Sequence, residues 1–219
     1  MVRAGRGPVM RDLTVTNATG ASPPEAAALV AALGSRSIAL VGMMGAGKSS
    51  VGRRLAVRLG VHFVDVDSEI ETVANMTIPE IFEAHGEDYF RSGEARVISR
   101  LLESGPQVLA TGGGAFMRPE TRAALRRSAV SVWLKADFDV LFRRVKRRSD
   151  RPMLKTTDPG QTLRRLIDER YPVYAEADLT IVTRDVPHDT IVDETFAALV
   201  AHLCGTDHPP SHPLDQRLS

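Results

Sequence analysis

A three-layer α/β/α fold around a parallel sheet of five strands is predicted by three features of the sequence. Short apolar runs of strand length alternate with segments of helical spacing, the signature of β-α-β units. A glycine-rich turn joins the first apolar run to the first strongly periodic helix, and the carboxyl ends of such strands are where ligands bind. No internal repeat is present, and 219 residues suit one domain with irregular ends.

Strands are expected at Ser37–Val41, His62–Asp65, Gln107–Ala110, Val130–Leu134 and Leu179–Val182. A helix over Ser50–Leu59 follows from Val51, Leu55 and Leu59, four apart and stopped by Gly60. Thr77-Ile78-Pro79-Glu80 reads as a capping box with proline in the first turn, opening one helical stretch that runs to about Ser104. Further helices are expected over Pro119–Arg127, Asp137–Arg147, Gln161–Tyr171 and Thr190–Leu203, with a short one over Pro24–Leu33. Residues 1–34 are accordingly assigned to an N-terminal extension, 35–204 to the domain, and 205–219, broken by three prolines, to a tail. The start carries Arg3, Arg6 and Arg11 against Asp12 but no apolar stretch followed by small residues, so an unstructured extension is preferred to a targeting segment.

Composition excludes several function classes. Lys and Arg number 28 against 27 for Asp and Glu, so a net charge of +1 gives no global field for nucleic acid or an anionic membrane. The apolar runs Ala26–Leu33 and Ile38–Met44 fall far short of the roughly 18 residues of a membrane span. One cysteine, Cys204, permits no internal disulfide and no cysteine-based metal site, which favours a reducing, cytoplasmic setting.

Gly42-Met43-Met44-Gly45-Ala46-Gly47-Lys48-Ser49 fits the phosphate-binding pattern G-x-x-x-x-G-K-[ST] in full, with the required strand before it and helix after it. Backbone N–H groups of Gly45 to Ser50 can converge on a polyphosphate while Lys48 brings a mobile charge to its β and γ groups. The Ser49 hydroxyl is a Mg²⁺ ligand of the usual kind, and ATP is the expected nucleotide.

The strand Gln107–Ala110 ends in Thr111-Gly112-Gly113-Gly114 rather than in the acid that holds metal in large P-loop ATPases. Acids stand instead after the second strand, where the i, i+2 spacing of Asp65 and Asp67 is expected to turn both carboxylates to one side. One can serve the metal and its waters and the other an acceptor hydroxyl, although a lone Asp67 could equally cap a helix over Ser68–Ala74.

Taken in order, the phosphate loop, Asp65-x-Asp67, Phe90-Arg91-x-x-Glu94, Gly112-Gly113-Gly114, Arg151-Pro152 and Arg170 resemble shikimate kinase from Ser37 to Leu203. The resemblance implies a P-loop kinase that phosphorylates the 3-hydroxyl of shikimate. It matches Asp67 to the aspartate that binds that hydroxyl and acts as base, which leaves Asp65 to the metal. It matches Arg91 and Arg170 to the arginines that grip the substrate carboxylate, with the Gly112–Gly114 backbone alongside. Two guanidinium forks suit a planar carboxylate, and Glu94, three residues from Arg91 on a helix, can hold that fork.

Six of the nine residues from Arg143 to Arg151 are basic, yet no aromatic side chain lies among them for a base to stack on. A solvated helix face would account for the run. The resemblance implies instead a lid over residues 148–160, with Arg151 reaching the ATP phosphates as a catalytic group and Arg148 beside the adenine. A monomer is expected, binding shikimate and ATP. The competing readings are another small-molecule kinase, such as gluconate kinase, and a non-catalytic nucleotide-dependent switch, which would leave Asp67, Arg91 and Arg170 without a purpose.

Overall fold

The computed structural model describes residues 24–146 and 158–205. Within them the chain runs α1 (Pro24–Leu33), β1 (Ser37–Val41), α2 (Lys48–Leu59), β2 (His62–Asp65), α3 (Val66–Ala74), α4 (Ile78–Leu102) and β3 (Gln107–Ala110). It continues through a single 3₁₀ turn (Ala115–Met117), α5 (Pro119–Ser128), β4 (Ala129–Ala136), α6 (Phe138–Lys146), α7 (Pro159–Tyr174), β5 (Leu179–Thr183) and α8 (His188–Cys204).

Every strand pairing is parallel and the order is β2-β3-β1-β4-β5. β1 lies at the centre, fully buried along Ser37–Val41, as a continuous apolar strand covered on both faces should be. The chain leaves β1 toward β2 on one side and later returns to add β4 on the other. This reversal opens a crevice beyond the carboxyl ends of the central strands. Thr111 ties the tip of β3 to β1, because both its N–H and its hydroxyl donate to the Leu40 carbonyl, at 3.1 and 3.0 Å.

α1, α2 and α8 pack on one another against part of the sheet, while α4 and α5 pack together beside β4. The helix at Pro24–Leu33 thus forms as expected, but its place differs from the sequence assignment to an extension. Ala26, Leu29 and Leu33 are buried in the common core, so α1 belongs to the packed unit. The pattern was hard to read because α1 is largely alanine and its buried stripe is narrow.

Three other boundaries move for identifiable reasons. The Thr77 capping box forms as expected, with Thr77 N–H donating to Glu80 Oε2 at 2.7 Å. The stretch it opens is two helical pieces rather than one, since Gly86 adopts φ 81°, ψ 174°, a conformation that side-chain-bearing residues rarely reach. α7 continues past Tyr171 to Tyr174 through Pro172, where local sequence rules would end a helix. β4 runs from Ala129 to Ala136, one residue longer at its start and two at its tip, and pairs in parallel with β5 there as far as Thr183.

Leu29 is fully buried, so Leu29→Ala should cost about 2–5 kcal/mol of unfolding free energy. Denaturant titration checks this. A variant as stable as wild type would return α1 to the extension.

Candidate active site

The loop between β1 and α2 closes into a cradle in which Ala46 N–H donates to the Met43 carbonyl at 3.2 Å. α2 starts at Lys48, two residues before the expected position, so its positive end points straight out of the loop. Lys48 is buried, and its ammonium donates to the carbonyls of Gly42 and Met43 at 2.8 and 2.9 Å. Ser49 Oγ donates to Asp65 Oδ2 at 2.6 Å. The two form a pair of hard oxygens suited to a small divalent cation that keeps its other positions for water and phosphate oxygen. Among the described residues no group of three or more His, Cys, Asp or Glu side chains could hold a metal by itself.

Asp65 and Asp67 come together, though not through strand alternation. β2 ends at Asp65 and turns directly into α3, which puts Asp67 in the first turn of that helix. Asp65 occupies the N-cap position without a side-chain capping bond, and Asp67 does not cap α3. The helix dipole at this point favours a carboxylate.

Two cavities adjoin here. One, of about 490 Å³, is lined by Gly45, Gly47, Lys48, Ser49, Ser50 and Asp65. The other, of about 260 Å³, is lined by Arg91, Gly112, Gly114 and Arg170 with an apolar wall of Ile78, Phe82 and Phe90. Met44, Asp67 and Gly113 belong to both. The break at Gly86 builds the apolar wall by folding the two pieces of α4 so that the Phe82 and Phe90 rings meet at 4.8 Å between centroids.

The smaller cavity concentrates charge in a buried place. Arg91 donates to Glu94 Oε2 at 2.8 Å and to Glu87 at 3.2 Å. Its guanidinium lies flat on Gly114, where a Cβ would come within 2.5 Å of the Arg91 Cζ. Glu94 is 1% exposed, and burial pushes its carboxyl above the usual range; Arg91 offsets part of that and Asp67 adds to it. The Glu94 Oε1 atom has no hydrogen-bond partner. A Cβ on Gly112 would strike both Glu94 Oε1 and Asp67 Oδ1, so the two carboxyl groups flank that glycine.

Arg170, 5% exposed, donates to the Gly113 carbonyl at 3.0 Å, while its buried Nε has no hydrogen-bond partner. Tyr174 lies beneath it, and burial pushes its phenol up to about 12, which leaves a neutral hydroxyl.

Sequence reasoning overlooked part of the larger cavity. Arg144, Asp185, Val186 and His188 line it as well. Arg144 donates to the carbonyls of Gly45 at 3.4 Å and Arg184 at 2.8 Å, bridging α6 to the phosphate loop and to the end of β5. The only available signal was its position next to Val145 on the buried side of α6. Arg184 points elsewhere, into an ion pair with Glu194. Arg148 and Arg151 lie outside the described residues, as does most of the segment 148–160 assigned to a lid; Asp158 at its end caps α7 by accepting from Gln161 N–H at 2.9 Å.

Comparison with known proteins assigns the chain to a family. The family model for shikimate kinase matches residues 44–200. The curated shikimate kinase of Rhodopseudomonas palustris is 64% identical over 203 residues, covering 93% of this chain and 100% of that one. That of Bradyrhizobium diazoefficiens is 65% identical over 185 residues, 84% of this chain and 89% of its own. The solved structure of shikimate kinase from Acinetobacter baumannii in complex with shikimate has a TM-score of 0.74 at 39% identity, covering 76% of this chain and 93% of that one. On this family match and these identities, the chain belongs to the shikimate kinase family.

Proposed function

We propose that this chain transfers the γ-phosphoryl group of ATP to the 3-hydroxyl of shikimate, giving shikimate 3-phosphate and ADP. The observation that carries this reading is the common wall of the two cavities, where Asp67 and Gly113 stand between the phosphate cradle and the arginine-lined chamber. A nucleotide in the first and a small hydroxy acid in the second meet at that wall. The shikimate complex of the Acinetobacter baumannii relative supports the choice of acid.

The acceptor oxygen attacks the γ phosphorus, its bond to the β–γ bridging oxygen breaks, and the hydroxyl proton passes to Asp67. Lys48 leaves its loop carbonyls to follow the β and γ phosphates. The backbone of Gly45 to Ser50, including Ala46, cradles the phosphates, with Arg144 closing the side of the cradle. Mg²⁺, when bound, neutralises charge developing on the transferred group; Ser49 and Asp65 are the residues that would hold it. Arg91 and Arg170 bind the acid's carboxylate, the backbone of Gly112, Gly113 and Gly114 lines the acid between that end and Asp67, and Glu94 holds Arg91. Arg148 and Arg151 are assigned to ATP on the family resemblance, with 148–160 as the lid over it. The chain is read as a monomer, and a single cysteine, Cys204, suits the cytoplasm.

With shikimate, quinate, gluconate and AMP offered in turn, ADP release should respond to shikimate alone; an equal response to gluconate would transfer the assignment to another kinase of this scaffold. Asp67→Asn should lower kcat by about 10²–10⁴ while ATP binding, measured by calorimetry, persists. Arg91→Ala and Arg170→Ala should each raise KM for shikimate. Normal Michaelis constants in both would remove the carboxylate clamp.

A further inference from the structure

We propose that Tyr174 is a positioning residue for acceptor binding, acting on shikimate through the Gly113 carbonyl and the Arg170 guanidinium; this rests on the function proposed above. Tyr174 lines neither cavity and is wholly buried. Its hydroxyl donates to the carbonyl oxygen of Gly113, the same oxygen that receives the Arg170 N–H at 3.0 Å. Phenol and guanidinium therefore converge on one acceptor, and the three groups form a small hydrogen-bonded network.

This network joins two elements that the acceptor needs together. Arg170 and Tyr174 are one turn apart on α7, whereas Gly113 belongs to the turn after β3 and sits close against the phosphate loop, where a Cβ on it would be 3.4 Å from Met44 N. Without the phenol, the Gly113 carbonyl would keep Arg170 alone of these two donors, and the position of Arg170 against it would be less fixed. The ring itself is fixed independently of the hydroxyl, between Phe116 at 6.3 Å and Trp133 at 5.9 Å between centroids. Removing only the oxygen should therefore leave the packing in place and loosen the carboxylate-binding side of the chamber.

Tyr171 supplies an internal control. It belongs to the same helix and aromatic cluster, and its hydroxyl also donates to a backbone carbonyl, that of Ala136, away from Gly113. The test compares Tyr174→Phe with Tyr171→Phe in steady-state kinetics for both substrates, with unfolding temperatures measured alongside. Tyr174→Phe should raise KM for shikimate about fivefold to tenfold, the effect of one lost buried hydrogen bond, with kcat and KM for ATP within about twofold of wild type. Tyr171→Phe should leave all three unchanged. Shikimate binding followed through the fluorescence of Trp133, the chain's single tryptophan, gives the same comparison well below the unfolding temperature if Tyr174→Phe is unstable. An unchanged shikimate KM in Tyr174→Phe overturns the proposal, as does a rise of equal size in Tyr171→Phe or a loss confined to kcat. Absence of wild-type turnover with shikimate would instead sink the functional reading itself, so the two failures are distinguishable.

Discussion

At the tip of β3, between Thr111 and Ala115, the chain presents bare backbone to four charged side chains. A Cβ on Gly112 would collide with the carboxyl groups of Glu94 and Asp67, and one on Gly114 with the guanidinium of Arg91. The carbonyl of Gly113, between them, accepts from Arg170. Side chains from α3, both ends of the acceptor chamber and α7 therefore converge on three consecutive peptides. The order of the strands makes the convergence possible, since β3 stands between β2, which delivers Asp65 and leads into Asp67, and β1, which delivers the phosphate loop. A side chain at Gly112 or Gly114 would push those groups apart, which accounts for glycine at this tip where other P-loop proteins hold an acid.

The charges gathered here are costly to bury, and the protein handles them as pairs. Glu94, 1% exposed, is ion-paired with Arg91, and Arg170 gives its hydrogen to a carbonyl. Breaking one partner out of a buried pair typically costs about 3–5 kcal/mol, whereas the exposed pairs elsewhere, such as Arg126 with Glu176, contribute about 0–1 kcal/mol. Stability thus constrains the same residues as chemistry. Two buried atoms of these groups, Arg170 Nε and Glu94 Oε1, have no hydrogen-bond partner.

The sequence was most legible where a spacing rule and a physical requirement coincide. The phosphate loop, the helix stop at Gly60 and the Thr77 capping box are short-range patterns, and each stands where the local rules place it. The roles of Arg91, Glu94 and Arg170 were visible only as an ordered series, because an arginine on a helix says nothing by itself about burial. What stayed hidden depends on tertiary context. Gly86 looks like an ordinary helix interruption until its φ is known, Pro172 is tolerated because α7 is held by packing on both sides of it, and Arg144 reads as one more charge in a basic run. The i, i+2 argument expects Asp65 and Asp67 on one side of a strand end; both do line one cavity, but the strand turns into a helix between them.

The apolar wall of the acceptor chamber has a consequence for catalysis. Phe82, Phe90 and Ile78 offer no hydrogen bonds, so under the proposed function a small polyhydroxy acid would be oriented by its carboxylate at one end and by Asp67 at the other, along the glycine backbone. Opposite ends of a rigid ring held in this way fix which hydroxyl faces the phosphate cradle, and an acid of different length or flexibility would satisfy one end at the expense of the other. Phosphoryl transfer asks little covalent chemistry of the protein beyond such alignment and charge stabilisation. The rigidity of the Gly112–Gly114 turn, which receives bonds from α7 and carries the guanidinium of α4, is therefore the means by which the fold chooses its acceptor.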